Sequence, residues 1–207
     1  RIYQATDRLS VRRQVMRDLA KTLAVDIAIG VVAGLVATKV TDWAQTALYS
    51  VTPAPVREKE ERVRPGPPAE IAALDMANRL GVRLDEKARA RAGHAVHYAM
   101  GALWGPIYGQ LRRNTRIGAS GAAFVSGATM SLIIDEGLTP ALGYSAPNRD
   151  YPVLTHVRGF AGHLVVGAVK AAVAEALYSL SDLRDRRPAQ RSWIDRDRFN
   201  PARRLRR

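Results

Sequence analysis

The stretch from Ile117 to Ile134 contains eighteen residues and no ionisable side chain. At about 1.5 Å of rise per residue, a helix of that length covers most of a hydrocarbon core of roughly 30 Å. Three further stretches, at residues 22 to 42, 92 to 111 and 158 to 180, are similarly apolar but contain ionisable groups. The pattern predicts an all-α fold, a four-helix transmembrane bundle whose third span covers residues 117 to 136.

The segments between and beyond these spans are polar. Residues 1 to 21 form a basic amphipathic arm, and residues 181 to 207 form an arginine-rich tail without apolar periodicity. Residues 43 to 91 are predicted to be an outer-side loop domain. It would contain a linker rich in proline and charge, then a short amphipathic helix from Ala69 to Leu80. Asp85 is placed to act as the N-cap of the second long helix.

Small residues recur within the predicted spans at spacings that allow helix backbones to approach closely. Gly30 and Gly34 form one such small-xxx-small pair. The full predicted set of packing glycines is Gly30, Gly34, Gly101, Gly105, Gly121, Gly127 and Gly162.

Charge is concentrated at the two ends of the chain. Residues 1 to 21 contain six basic and two acidic side chains, and residues 181 to 207 contain ten and four. With four spans, both termini and the basic connection after the second span lie on one side, which the positive-inside rule places in the cytoplasm. We therefore expect a multi-pass membrane protein with both termini in the cytoplasm. The arm and tail arginines expected to bind lipid or a partner are Arg12, Arg13, Arg17, Arg186, Arg187, Arg203 and Arg204.

Four charged residues are singled out as intramembrane charges: Asp26, Lys39, Lys170 and Glu175. A lysine near the middle of a bilayer costs about 2.5 to 3.5 kcal/mol even on translocon scales. We expect Lys170 to face inward and to pair with Asp26 or Glu175; the alternative is that its side chain extends to the interface. Asp26 and Lys39 lie nearer the ends of their span.

The predicted topology gathers polar side chains at the outer ends of the helices. This cluster comprises His94, His97, Asp135, Glu136, His156 and His163. Lys39 and Asp42 close the first span at the same level. Imidazole and carboxylate groups can bind zinc, iron or copper, can relay or sense protons, or can simply hydrogen-bond the loops. The spacing matches no specific metal signature, so whether a metal binds stays open, and no cofactor is predicted.

Motifs for catalysis and nucleotide binding are absent from the sequence, which contains no Walker A loop, GxGxxG, GxSxG, HExxH or SxxK pattern. We therefore predict a protein that is not an enzyme. Cysteine is also absent, which excludes disulfides and thiolate ligands. The basic tail offers only Trp193 and Phe199 for base stacking, so nucleic acid is not an expected partner.

Several motifs resemble those of the YagU-like family of small bacterial inner-membrane proteins. They are RPGPP at 64 to 68, HAVHYAMGALWGPIYG at 94 to 109, the Asp135-Glu136 pair with Pro140 and Gly143, and Tyr151-Pro152 with His156, His163 and Gly167. The resemblance covers residues 22 to 180 and implies a helical inner-membrane protein without an established biochemical activity.

Three functional hypotheses follow from these patterns. The first is a non-catalytic accessory subunit that packs against membrane lipids and other membrane-protein subunits, or forms a homo-oligomer. The second is a proton- or cation-responsive channel, transporter or sensor that uses the outer polar cluster. The third is a soluble helical protein in which the apolar stretches are core helices.

Overall fold

The computed structural model describes residues 2–181, with side chains from residue 12 onward, and the described chain is helical without β-strands. The long helices are α1 (Ile2–Ser50), α4 (Glu86–Asn114), α5 (Gly118–Met130) and α7 (Val153–Leu180). Short helices α2 (Ala54–Val63), α3 (Pro68–Arg79) and α6 (Thr139–Ala141) lie in the connections. A π-helix, Ser131–Leu138, continues α5 into α6. A single 3₁₀ turn, Asn148–Asp150, precedes α7.

The four long helices form an up-down-up-down bundle. Helix α1 packs against α4 and α7, and α5 packs against the same two helices. Contacts at successive depths show that each neighbouring pair is antiparallel: α1 meets α4 at Gly30 with Pro106 and again at Asp42 with His97. We call the end that holds Asp42 the upper end and the opposite end, to which both ends of the described chain run, the lower end.

Glycines allow the helix backbones to touch in two of these pairs. A Cβ atom on Gly34 would overlap the carbonyl oxygen of Gly101, and one on Gly105 would overlap that of Gly30. In the pair α5 and α7, Gly127 lies against the carbonyl of His163 in the same way. Close backbone approach of this kind is how helices associate without large apolar side chains between them.

Two of the predicted packing glycines differ from this pattern. Gly162 lies against the side chain of Gln45 rather than against a backbone. Gly121 is a correction: the three atoms nearest to a Cβ there all belong to Ile117, one turn earlier in the chain, and none to a neighbouring helix. Gly167, which was not predicted, contacts the carbonyl of Ala123. Counting small residues cannot tell which face of a helix meets a neighbour.

Helices α2 and α3 form a layer over the upper end. The prediction of a linker over the proline- and charge-rich stretch was wrong, because α2 is a regular helix with a proline in its first turn, a position where proline is favoured. Its buried Glu60 accepts two hydrogen bonds of 2.7 Å from Arg158 on α7. Helix α3 packs on α4, where Glu70 lies against Gly93. Asp85 caps α4 as predicted, accepting a 2.7 Å hydrogen bond from the Ala88 amide.

The loop before α7 is fixed to this upper layer by one side-chain contact. The Tyr144 hydroxyl donates a 2.8 Å hydrogen bond to Asp75 on α3. That hydrogen bond, together with the ion pair from Arg79, lowers the pKa of the Asp75 carboxyl.

Two helices of the described chain are long and apolar enough to cross a membrane: α1, over Arg12–Ser50, and α7. Only 39% of the apolar window of α1 and 33% of that of α7 are buried inside the structure, so most of each window faces outward. Helix α4 begins with charged turns, and α5 has only 13 residues before the π-helix begins. The second and third predicted spans therefore remain predictions. The tail and its arginines Arg186, Arg187, Arg203 and Arg204 lie outside the described residues.

Candidate functional site: polar groups along the helix bundle

Three histidines at the upper end each face a carboxylate from another helix. His97 Nε2 of α4 lies 3.0 Å from Asp42 Oδ1 of α1, and the hydroxyl of Tyr98 donates to the other oxygen of Asp42 at 3.1 Å. These contacts join the first two long helices. His97 also lies close enough to Asp135 for their charges to interact.

The π-helix supplies the two other carboxylates. His163 Nδ1 lies 3.3 Å from Asp135 Oδ2 and 3.0 Å from the carbonyl oxygen of Gly159, one turn earlier on α7. His156 Nδ1 lies 2.8 Å from Glu136 Oε1. Neighbouring residues of an α-helix point about 100° apart, and the wider π turn changes these directions locally, so that both acids meet α7.

A buried lysine lies at mid-depth of the bundle. Lys170 has only 1% of its surface exposed, and its ammonium donates a 2.8 Å hydrogen bond to the hydroxyl of Ser126 on α5. Along α7 it lies about 10 Å from His163 at the upper end and about 12 Å from Tyr178 at the lower end. Lys170 therefore faces inward as expected, but the predicted acidic partner is replaced by a serine. Trp104 of α4 donates to the carbonyl of the same serine at 3.0 Å.

The lower end is closed by two arginine–carboxylate pairs. Arg113 donates two hydrogen bonds of 2.6 Å to the fully buried Asp26 of α1. Arg112 donates to Glu175 of α7 at 2.7 and 3.3 Å, and the Tyr108 hydroxyl adds a 2.9 Å bond to the same carboxylate. The two acids that were expected near Lys170 are thus bound by consecutive residues of α4.

The remaining predicted residues lie apart from these pairs. His94 is exposed and takes no part in them. Lys39 is exposed, and its ammonium lies 5.8 Å from the centre of the Trp43 ring. Arg12, Arg13 and Arg17 are exposed along the lower part of α1, which continues without a break into the bundle.

The polar cluster is therefore split into histidine–carboxylate pairs rather than gathered into one site. Among the described residues, no group of three or more His, Asp or Glu side chains is arranged to hold a metal ion. The two arginine–carboxylate pairs were not predicted from the sequence. Comparing the depth of each residue along its helix would have found them, because Asp26, Arg113 and Glu175 all lie near the lower ends of their helices.

Comparison of the chain with protein-family models, with curated proteins and with solved structures finds no match.

Proposed function

We propose that this protein is a non-catalytic integral membrane protein that crosses a bacterial inner membrane four times and serves as a structural or accessory subunit of a larger assembly. The observation that supports it is the distribution of side chains over the bundle. Charged groups such as Asp26 and Lys170 are buried, whereas large apolar side chains face outward on all four long helices. Water would penalise that arrangement, and hydrocarbon would favour it.

The outward apolar side chains are spread around the whole bundle rather than confined to one patch. Leu103 of α4 is 74% exposed, Phe124 of α5 is 56% exposed and Leu132 of the π-helix is 57% exposed. The others on the bundle helices include Leu23, Ile27, Val32, Leu35, Val36, Ile133, Val153 and Val157. A soluble helical protein would bury such residues in its core, but the core here contains mainly Ala, Gly, Ser and Thr.

The continuity of the third helix supports a third crossing. Helix α5, the π-helix and α6 follow one another without a gap from Gly118 to Ala141. At about 1.5 Å per α-helical residue, this segment is long enough for a hydrocarbon core of roughly 30 Å. Arg112, Arg113 and Arg116 lie at the lower end together with both ends of the described chain, which favours cytoplasmic termini.

A subunit role is supported by a shallow groove on the outer surface between α5 and α7. The groove has a volume of about 460 Å³, and its lining includes Phe124, Ala168 and Ala172. Exposed alanines at four-residue spacing let a neighbouring membrane helix approach closely. The long basic arm, with Arg12, Arg13 and Arg17 exposed, provides a second surface for anionic lipid or a partner. Membership of the YagU-like family is part of the same proposal.

Purification in a mild detergent tests the subunit role. We expect the protein to elute with stoichiometric partner subunits or as a defined homo-oligomer. Ala172→Phe should weaken that association by filling the groove, whereas Leu103→Phe, on a lipid-facing position of α4, should leave it unchanged. A monomer at all concentrations with no co-purifying protein, or equal behaviour of the two variants, would contradict the proposal.

The histidine–carboxylate pairs favour a second candidate function, in which the protein responds to protons or cations. The pairs lie at the upper ends of three long helices and the π-helix, where a change of protonation would change the contacts between them. They are His97 with Asp42, His163 with Asp135 and His156 with Glu136.

Replacing His97 by Asn together with Glu136 by Gln should then change how proton or cation flux in proteoliposomes depends on pH between about 5 and about 8. The matched control is His94→Asn, because His94 is exposed and outside the pairs. Unchanged flux across that range in the double variant would remove this candidate function.

A further inference from the structure

His156 lies at the end of the first turn of α7, where it joins three separate elements. Its Nδ1 lies 2.8 Å from Glu136 Oε1 of the π-helix, and its Nε2 lies 3.0 Å from the carbonyl oxygen of Asn148. Asn148 Nδ2 in turn donates a 2.8 Å hydrogen bond to the carbonyl oxygen of Glu136. We call this closed set of contacts between His156, Glu136 and Asn148 the loop latch.

The chemistry of the two acceptors determines how many protons the latch holds. A backbone carbonyl can only accept, so His156 Nε2 must carry a hydrogen to bond Asn148. Nδ1 faces a carboxylate oxygen, and two lone pairs at 2.8 Å would repel each other. A hydrogen must therefore lie between them, and it belongs to the ring, because an imidazolium is a weaker acid than a carboxyl group. The pair thus holds one proton more than neutral histidine with ionised glutamate.

The charged groups around the latch are already engaged with other partners. On the π-helix, Asp135 pairs with His163, and on α2, Glu60 pairs with Arg158. In the loop, Arg149 and Asp150 face each other at 3.8 Å, and the Tyr151 ring meets the His156 ring edge-on. From α1, Tyr49 stacks under Arg158. Glu136 is thus the carboxylate that shares a proton with His156.

We propose that the proton shared by His156 and Glu136 holds residues 145 to 152 of the loop against the upper helix ends, and that loss of this proton at higher pH releases this segment. The hydrogen bond from Tyr144 to Asp75 anchors the start of the loop in both states. The latch would make this loop sensitive to the pH of the solution that it faces. Neither proposed function is required for this inference, because it concerns the loop and rests only on the latch geometry.

The protonation of His156 can be measured by nitrogen NMR. The full chain is labelled at histidine and reconstituted in nanodiscs. At about pH 7 we expect both ring nitrogens of His156 to carry hydrogen. Glu136→Gln should lower the pH at which His156 loses its second proton by about 1 pH unit or more, because it removes the adjacent negative charge. Exposed His94 should be unchanged in that variant. A His156 ring with one N–H at neutral pH, or no difference between the two proteins, would overturn the proposal.

Loop release can be measured separately, because the chain contains no cysteine and a single one can be introduced. A nitroxide on Ala146→Cys should be immobile at about pH 6 and become mobile as pH rises, with the midpoint found for His156 by NMR. Adding His156→Asn should make the label mobile at every pH. A label on Ala141→Cys, outside the latched loop, is the control. Unchanged mobility at Ala146 across the titration would show that the proton does not hold the loop.

Discussion

Replacing Arg113 by methionine should lower the free energy of unfolding of this protein by about 3 to 5 kcal/mol, the cost of leaving a buried charge without its partner. The variant removes both 2.6 Å hydrogen bonds from Asp26, whose carboxylate is fully buried between α1 and α4. The measurement is unfolding of the purified protein in mixed detergent micelles, followed by circular dichroism.

The relative stabilities of related variants test the same ion pair. Asp26→Leu should cost less than Arg113→Met, because Arg113 is 23% exposed and can reach the aqueous boundary. The double variant should recover much of the loss, since no buried charge remains. Arg79→Ala breaks an exposed pair with Asp75 and should have little effect. If the Arg113→Met protein were as stable as the unchanged chain, the stabilising role of the Arg113–Asp26 pair would be contradicted.

A methyl group added at Gly105 should destabilise the bundle by about 3 kcal/mol, near the upper end of overpacking costs, because its Cβ would overlap the backbone of α1. The atom it meets is the carbonyl oxygen of Gly30, which cannot move without shifting the helix. Gly105→Ala is therefore expected to separate α1 from α4 and to lower the thermal midpoint of unfolding in detergent.

The matched control for Gly105→Ala is Gly159→Ala, also within a long helix. A Cβ on Gly159 would meet open space, so this variant should be neutral or gain up to about 1 kcal/mol from the better helix propensity of alanine. If both substitutions changed stability equally, the close contact between α1 and α4 would not exist as described.

The helices themselves could be predicted from the sequence because their signals are local. Each signal is contained in a short segment of the sequence. Examples are the apolar runs, the Asp85 cap and the spacing of Gly30 and Gly34. The π-helix could not be predicted, since its wider turns have no established residue signature. Helix α2 was missed because the proline and charge of its sequence are typical of linkers, whereas its stability comes from Glu60 binding Arg158 about a hundred residues later.

Pairings within the site depend on which helices become neighbours. The sequence placed His97, Asp135 and His163 at one level, because depth follows from counting residues along each span. Which acid faces which histidine depends on the rotation of each helix about its axis. Helices with many small residues can pack together in several such rotations, so the sequence does not fix one of them. For the same reason Lys170 was assigned an acid, whereas the structure gives it Ser126.

The central claim, that four helices cross the membrane, is tested most directly by labelling introduced cysteines in intact cells with a membrane-impermeant maleimide. The chain has no cysteine of its own, so Ala141→Cys and Thr115→Cys each provide a single exposed site in the connections flanking the third predicted crossing. Four crossings predict labelling at residue 141 from outside and at residue 115 only after permeabilisation. If only α1 and α7 crossed, both residues would lie on the same side. Equal labelling of the two sites would therefore contradict the account.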